Sequence, residues 1–225
     1  HAITVLHHTI IWGADQLLDR IDIQPAAFYE RLVADPVYPT TAHASVKDFS
    51  GAFERAQADG ASQVIVLTVS SAMSGTYNSA VQAASQASIP VHVVDSKGPT
   101  MSLGWQVLAA ARERDLGRTV QQILDKVDQV RRSLVQFVCM DSLEYLHKGG
   151  RIGNARHLIG SLLNIKPLIQ INHSTGLVES AGSARTHKKV VDLMYEKFFA
   201  LLDLSKPLRI AVLHGNVLEE AQALA

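Results

Sequence analysis

Two short stretches of the chain are apolar at nearly every position, and each is followed by a segment with helical spacing. VIVLTVS covers residues 64–70 and VHVVDS covers residues 91–96, and SGTYNSAVQAA and SLGWQVLAAARER come after them. Strands that are apolar on both faces and alternate with helices are typical of a parallel sheet flanked by helices. The first half of the chain is therefore predicted to be an α/β domain.

The chain ahead of these strands shows a similar order of elements. ITVLHHTII at residues 3–11 is rich in β-branched residues and is predicted to be a strand, followed by polar turn residues. Pro25 suits the first position of a helix through QPAAFYERLVAD. Ser45 and Asp48 have the spacing of a capping box, which predicts a second helix with two phenylalanines on one face.

From about residue 134 the pattern changes. LVQFVCM predicts a strand, DSLEYLHKGGRIGNARHLIGSLL predicts short helices around a glycine turn, and PLIQINHSTGLVESAG predicts a hairpin that turns at His173 to Gly176. ARTHKKVVDLMYEKFFALL has the apolar stripe of a helix, and LRIAVLHG predicts a last strand. We therefore expect two domains, a Rossmann-like α/β domain over residues 1–133 and a mixed α+β domain over residues 134–225.

Composition and charge narrow the class of partner. The 225 residues are 47% apolar, with 21 basic against 21 acidic side chains. A chain without net charge has no overall field that would draw it to nucleic acid or to an anionic membrane. No apolar run reaches the roughly 20 residues of a membrane-spanning helix. One cysteine, Cys139, permits no internal disulfide, which agrees with a reducing compartment. We expect a cytoplasmic protein that binds no nucleic acid and does not insert stably into a membrane.

Both ends of the sequence fall inside predicted elements. The chain begins without methionine, directly in an apolar run, and stops at EEAQALA within a helical pattern. We expect the first domain to lack an initial strand and the second to be truncated at its C-terminus.

A candidate anion site follows the strand at residues 64–70. Ligands of open parallel sheets bind at the carboxyl ends of the strands, and the next helix is predicted to begin just after Ser74 and Gly75. A helix start offers unpaired N–H groups and a partial positive charge, and glycine allows close approach of a ligand. The pattern favours a small anion, a carboxylate or a phosphate. A simpler alternative is that Ser74 only caps the helix.

A second alternative makes Ser74 a nucleophile. It would belong to a hydrolase or transferase for a small acyl substrate, with a histidine such as His43 as its base. The G-x-S-x-G elbow needs glycine where this chain has Ala72 and Thr76, so this interpretation is disfavoured.

The segment EYLHKGGRIGNAR predicts a flexible, locally basic loop. Lys148 and Arg151 flank two glycines and could contact a phosphate or an acidic partner surface, although a solvated charged turn would look the same. The P-loop pattern is absent, so nucleotide binding is unsupported. In YPTTAHAS, Thr41 and Ser45 precede a helix, and capping alone accounts for Ser45.

The sequence predicts neither a metal site nor a cofactor. There are ten histidines, but no H-x-x-x-H or H-E-x-x-H pair, and His7 and His8 would point to opposite faces of a strand. Cys139 lies in an apolar strand and is expected to be a small core residue.

Five segments together carry a family resemblance: PTTAHAS, SSAMSGTYNSA, VVDS, DSLEYLHKGGRIG and LLNIKPLIQI. In order and spacing they resemble the DegV family of fatty-acid-binding proteins over nearly the whole chain. The resemblance implies a two-domain α/β fold that buries one long-chain fatty acid between its domains. It implies a lipid carrier rather than an enzyme, which presents the fatty acid to a separate fatty acid kinase that makes acyl phosphate for phospholipid synthesis in bacteria.

The resemblance also implies roles for particular residues. Thr41, Ser74 and Gly75 match the family positions that hold the carboxylate, and Arg151, with Lys148 beside it, matches the face that meets the kinase. The family motif T-S-x-P-S is TAHAS here, so Ala42 has no hydroxyl and Ala44 replaces proline. The family's initial Asp-Ser turn and its H-x-G-P-G-like histidine are not matched in this sequence, and His214 does not correspond to that histidine.

Overall fold

The computed structural model describes residues 3–158 and 165–224. Within these ranges the chain forms eight strands, which are β1 (Thr9–Trp12), β2 (Asp15–Leu18), β3 (Thr40–Ala42), β4 (Val64–Thr68), β5 (Val91–Asp95), β6 (Phe137–Cys139), β7 (Lys166–Asn172) and β8 (Leu177–Ala184). The same ranges contain eight α-helices, which are α1 (Pro25–Ala34), α2 (Val46–Ala58), α3 (Thr76–Ala84), α4 (Met101–Asp115), α5 (Val120–Ser133), α6 (Glu144–Lys148), α7 (His187–Ala200) and α8 (Leu218–Leu224). A 3-10 helix covers Gly153–Leu158. The helical stretch predicted through Leu162 and Leu163 lies outside the described residues.

The strands of this described part form three small sheets. One is antiparallel, in the order β2-β1-β3, one is the parallel pair β4-β5, and one is antiparallel, in the order β6-β7-β8. The predicted mixed α/β class, with a parallel sheet flanked by helices followed by an antiparallel region, is confirmed. Helix α5 ends at Ser133, and the division of the chain into two domains after this residue stays a prediction.

The β4-β5 sheet is the middle of three layers. Val64 and Val66 pack against the buried phenylalanines of α2 and the alanines of α3. Ile65 and Leu67 point the other way, toward Val127 and its neighbours on α4 and α5. Alternate residues of a strand face opposite sides, so both faces require apolar side chains. This explains the unbroken apolar run from which the strand was predicted.

The β6-β7-β8 sheet is covered by α7 on one face. Val190 of α7 is fully buried there, and the Cys139 sulfur lies 3.6 Å from the Val190 carbonyl and 3.5 Å from the Met194 sulfur. Burial raises the pKa of the Cys139 thiol to about 11. Cys139 therefore behaves as the apolar packing residue that its strand position predicts.

The turn of the β7-β8 hairpin docks on the ends of β4 and β5. Ser70 Oγ donates a hydrogen bond to the Gly176 carbonyl at 2.8 Å. His173 Nδ1 lies 3.2 Å from the Lys97 carbonyl, and Arg131 Nη1 donates to the His173 carbonyl at 2.8 Å. Gly176 has a φ of +79°, and a Cβ there would lie 2.1 Å from Ser70 Oγ. Only glycine fits this turn against the sheet.

The local signals for helix starts were correct. Pro25 occupies the first turn of α1. Ser45 and Asp48 form the complete capping box at the start of α2, with the Asp48 N–H donating to Ser45 Oγ and the Ser45 N–H donating to Asp48 Oδ2. Both boundaries depend on contacts within a few residues, which is why the sequence was sufficient to predict them.

The strand predicted at residues 3–11 is wrong in its extent. The strand begins at Thr9 and turns at Gly13 into β2, and it pairs antiparallel with β2 and β3. β2 has the sequence DQLL and is mostly exposed, so it lacks the alternation that would have predicted it. His7 and His8 precede the strand.

The strand predicted from LRIAVLHG at residues 208–215 is also wrong. These residues have no ladder partner among the described strands, and Leu208, Ile210 and Leu213 are exposed. Alternation describes a half-buried surface, but a strand also requires a neighbour that completes its backbone hydrogen bonds.

Among the described residues, no helix combines the length and the apolar character that crossing a membrane requires.

Candidate functional site

A cavity of about 380 Å³ lies between the carboxyl end of β4 and the open face of the β6-β7-β8 sheet. This volume is in the range of about 300–1,000 Å³ that is typical of small-ligand pockets. Nine apolar residues line it: Val69, Met73, Pro99, Val138, Met140, Leu146, Ile169, Ile171 and Val178. Seven polar or charged residues complete the wall: His8, Thr41, His43, Ser74, Thr100, Gln136 and Arg151.

Strand geometry produces the apolar wall. Gln136, Val138 and Met140 occupy alternate positions along β6 and its two ends, so they face the same side of the sheet. Val138 is paired with Ile169 on the neighbouring strand. Gln136 and Met140 are four residues apart, which corresponds to about 13 Å along an extended strand. The wall thus extends along the whole of β6.

Thr41 and Ser74 reach the cavity from separate elements. Thr41 is on β3, and Ser74 is in the loop between β4 and α3. The Ser74 hydroxyl lies 2.7 Å from the Thr76 hydroxyl and accepts a hydrogen bond from the Thr76 N–H at 3.3 Å. Gly75 is the cap residue of α3. Ser74 is therefore not the cap itself, although its hydroxyl satisfies one of the free N–H groups of the first turn.

The loop that carries Ser74 is fixed by the end of β5. The Ser71 N–H lies 3.2 Å from both carboxylate oxygens of Asp95, and Lys97 Nζ pairs with Asp95 at 2.9 Å. Burial opposes ionisation of Asp95, but the hydrogen bonds from Ser71 and Lys97 prevail and hold the pKa of its carboxyl below the usual value. A charged, fixed Asp95 anchors the loop just ahead of Ser74.

The space over Gly75 is taken by the His43 ring. A Cβ added at Gly75 would lie 2.7 Å from His43 Cε1. Gly75 is not part of the cavity wall, so a contact between Gly75 and an anion stays a prediction. Its hydrogen in place of a side chain allows His43 to approach the start of α3.

Arg151 lines the cavity, whereas Lys148 does not. Arg151 Nε donates a hydrogen bond to the Met73 carbonyl at 3.0 Å, and its Nη1 donates to the Gly149 carbonyl. Lys148 pairs with Glu144 at 2.6 Å, and its ammonium lies 5.4 Å from the centre of the Tyr38 ring. The two predicted basic residues are therefore close in sequence but have different surroundings.

His8 and His43 are functional candidates that the sequence did not single out for ligand binding. His8 reaches the cavity from the segment before β1, and His43 from the loop between β3 and α2. Burial lowers the pKa of His8, and the nearby His43 and Arg151 lower it further, while Asp19 acts in the opposite direction. The position of His43 inside PTTAHAS, next to Thr41, was the available signal.

The geometry does not support the nucleophile interpretation. Among the described residues, Ser74 Oγ has hydrogen bonds only with Thr76, and none joins it to His43. A Ser–His nucleophile needs the base within hydrogen-bond reach of the hydroxyl. Nor does the described part of the chain contain a group of three or more His, Cys, Asp or Glu side chains that could hold a metal ion.

Comparisons with known proteins agree on one family. Residues 1–225 match the DegV family. A DegV domain-containing protein of Streptomyces coelicolor is 33% identical over the whole chain, which covers 79% of that protein. A counterpart from Clostridium acetobutylicum is 31% identical, with 99% of this chain and 78% of that protein covered.

Solved structures show the same fold. DegV from Bacillus subtilis, described as a fatty acid binding protein, superposes with a TM-score of 0.88 at 26% identity, covering 97% of this chain and 77% of that one. A DegV family protein from Thermus thermophilus, described by its fatty acid binding, gives 0.80 at 31% identity, with 87% and 69% covered. A stearic acid-binding protein from Eubacterium ventriosum gives 0.79 at 26% identity, with 90% and 71% covered.

Proposed function

The chain belongs to the DegV family, and from this we propose that it binds one long-chain fatty acid in the cavity. The carboxylate would contact the hydroxyls of Thr41 and Ser74, and the acyl chain would lie along the apolar wall. One observation carries the proposal: two hydroxyls from separate elements meet in a cavity whose other walls include nine apolar side chains. The solved relatives that bind fatty acids support it.

The apolar wall would supply most of the affinity. Burial of each CH₂ contributes about 0.8 kcal/mol, so a chain of about sixteen carbons gains roughly 12 kcal/mol before the costs of association. A hydrogen bond to a charged group contributes about 1.5–3 kcal/mol net, so two of them stay well below the contribution of the acyl chain. The hydroxyls would therefore fix the orientation of the ligand more than its affinity.

We further propose that the protein is a carrier without catalytic activity of its own. It would present the carboxylate to a separate fatty acid kinase, and the ligand would lie between domains 1–133 and 134–225. Arg151 and Lys148 would contact the kinase. Two features support this: Arg151 lies at the cavity and is exposed, and Lys148 is exposed beside the stacked Tyr38 and Tyr145 rings.

Mass spectrometry of the purified protein tests fatty acid binding. The protein is measured under native conditions and again after denaturation and solvent extraction. A fatty acid at one molecule per chain is expected, and its mass would give the acyl length. A protein that carries no fatty acid and takes up none of a mixture of saturated and unsaturated acids would contradict the proposal.

The carrier role needs a separate test. Phosphorylation of the bound fatty acid by a fatty acid kinase is measured with the unchanged protein, with Lys148→Ala and with Arg151→Ala. Slower turnover in both variants, with fatty acid binding retained in Lys148→Ala, is expected. Turnover that neither variant alters would remove these residues from the partner contact.

A further inference from the structure

His8 and His43 lie in the cavity wall with their ring nitrogens free of protein partners. No hydrogen bond to either ring occurs among the described residues, although both rings line the cavity. Other histidines of the described part do have partners: His7, His92, His173, His187 and His214. His147 has none either, and like His43 it is exposed, but it lies outside the cavity wall, whereas His8 is half-buried. Polar groups at the wall of a cavity are available to a ligand when the protein leaves them unpaired.

His8 and His43 directly adjoin the paired Thr9 and Ala42 at the end of the antiparallel β1-β3 ladder, and both line the cavity together with Arg151. His43 and Arg151 both disfavour a positive charge on the His8 ring, whereas the negative charge of Asp19 favours it. All three groups therefore influence the His8 ring electrostatically. The His43 ring is held against Gly75, one residue from Ser74. The imidazoles therefore flank the same part of the wall as the Ser74 hydroxyl.

We propose that His8 and His43 bind the head group of an anionic ligand and that one of the two rings takes up a proton when that ligand binds. This inference rests on the proposed function, because the anion is then the carboxylate of the fatty acid. The bound form would be an ion pair between a carboxylate and an imidazolium, next to Arg151. Its consequence is that affinity depends on pH, which hydroxyl groups alone would not produce.

The sign of the pH dependence follows from the charges. An anion next to an imidazole favours its protonated form, so the histidine pKa is higher in the complex than in the free protein. Binding then takes up a proton at any pH between these two values, and affinity rises as the pH falls through that window. One proton gives at most about a tenfold change in Kd per pH unit. The rise must end near pH 5, where the carboxyl group of the ligand becomes protonated.

Calorimetry on the unchanged protein is the first test. Palmitate is titrated at pH 7 in two buffers with different ionisation enthalpies, since the difference in observed heat reports the number of protons taken up. We expect an uptake between zero and one proton, and Kd that falls several-fold from pH 8.5 to pH 6.5. Hexadecanol, which has the same chain and no charge, should show neither effect.

Variants assign the effect to the two rings. His8→Gln, His43→Gln and the double variant are compared with His92→Gln, whose ring lies at the exposed end of β5 next to Gln63. We expect the double variant to lose the proton uptake and to bind palmitate about tenfold more weakly at pH 6.5, with little change at pH 8.5. His92→Gln should retain both. If the double variant does not fold, the histidine ring protons of the unchanged protein are titrated by NMR, and palmitate should raise the pKa reported by at least one ring, whereas no change at any ring would overturn the inference.

The outcomes separate this inference from the proposed function. Palmitate that binds with no proton uptake, and a double variant with the unchanged pH profile, would overturn the role of the histidines and leave fatty acid binding intact. A protein that binds neither palmitate nor hexadecanol at any pH would overturn the proposed function itself.

Discussion

The parallel β4-β5 sheet and the antiparallel β6-β7-β8 sheet carry similar apolar side chains but bury them against different neighbours. The β4-β5 sheet is covered by helices on both faces, so Val66 and Leu67 have protein on either side. The β6-β7-β8 sheet is covered by α7 on one face, and on the other Val138 and Ile169 line the cavity. The first sheet is therefore enclosed by helices, whereas the second sheet shares its other face between the cavity and a buried cluster that includes Leu143, Ile152 and Ala155. Substitutions in the layers around the first sheet should therefore change stability, and substitutions on the cavity face of the second sheet should change ligand binding.

The largest effect is expected in the helix layer over β4-β5. Phe53 of α2 is 5% exposed and packs in the cluster above this sheet. Phe53→Ala should lower the free energy of unfolding by about 3–5 kcal/mol, because it leaves a cavity in a closed core. Urea denaturation measures this. The exposed Val33 is the control, and Val33→Ala should change stability by less than about 0.5 kcal/mol. Equal effects at the two positions would show that this layer is not a closed core.

The next effect should appear in binding and not in stability. Val138→Phe places a larger side chain in the cavity, where it occupies the space of the acyl chain. We expect fatty acid affinity to fall about a hundredfold, or ~2.7 kcal/mol, while the free protein unfolds at an unchanged urea concentration. Fluorescence displacement measures Kd. Val81→Phe, at an exposed position of α3, should bind normally. If Val138→Phe lowered the stability and left the affinity unchanged, this face of the β6-β7-β8 sheet would serve the fold and not the ligand.

A smaller effect is expected at the polar wall. Thr41→Ala combined with Ser74→Ala removes two hydroxyl donors to the carboxylate, and water that takes their place retains part of the interaction, so palmitate should bind about thirtyfold more weakly. Phosphorylation by the kinase should decrease more than binding, since the carboxylate loses its orientation. The exposed Ser62→Ala is the control. A double variant with unchanged turnover would exclude these hydroxyls from the site.

The smallest effect concerns the covered face of the second sheet. With a pKa of about 11, the Cys139 thiol is about one thousandth ionised at pH 8. Alkylation should be slow in the folded protein, should accelerate about tenfold per pH unit, and should become rapid in urea. Added palmitate should not change the rate, because Cys139 contacts α7 and not the cavity. If palmitate slowed the alkylation, Cys139 would have to lie on the cavity side of the sheet and not on the face that α7 covers.

The sequence was sufficient to predict helices and strands whose formation depends on residues close to one another in the chain. The start of α2 depends on Ser45 and Asp48, which contact each other, and β4 is apolar on both faces because helices cover both. β2 was missed since its short, exposed sequence carries no pattern, and residues 208–215 carry a pattern without a neighbouring strand.

The site was predictable only in part. Ser74 could be placed because a helix begins directly after it, and Thr41 because a family motif contains it. His8 could not, since it is far from both in sequence and becomes a neighbour of His43 only through the fold. Whether a histidine ring has a partner depends on tertiary contacts that no spacing in the sequence records.

The docked hairpin turn also limits how the cavity can open. A Cβ at Gly176 would collide with Ser70 Oγ, and Ser70 belongs to the same loop as Ser74, so the β7-β8 turn is packed directly against the loop that carries a cavity residue. Across the cavity, Arg151 is tied to that loop by a hydrogen bond from a flexible side chain to the Met73 carbonyl. The hairpin turn thus holds the Ser74 loop through backbone contacts that tolerate no side chain, whereas Arg151 holds the same loop from the side of α6 through a single long side chain.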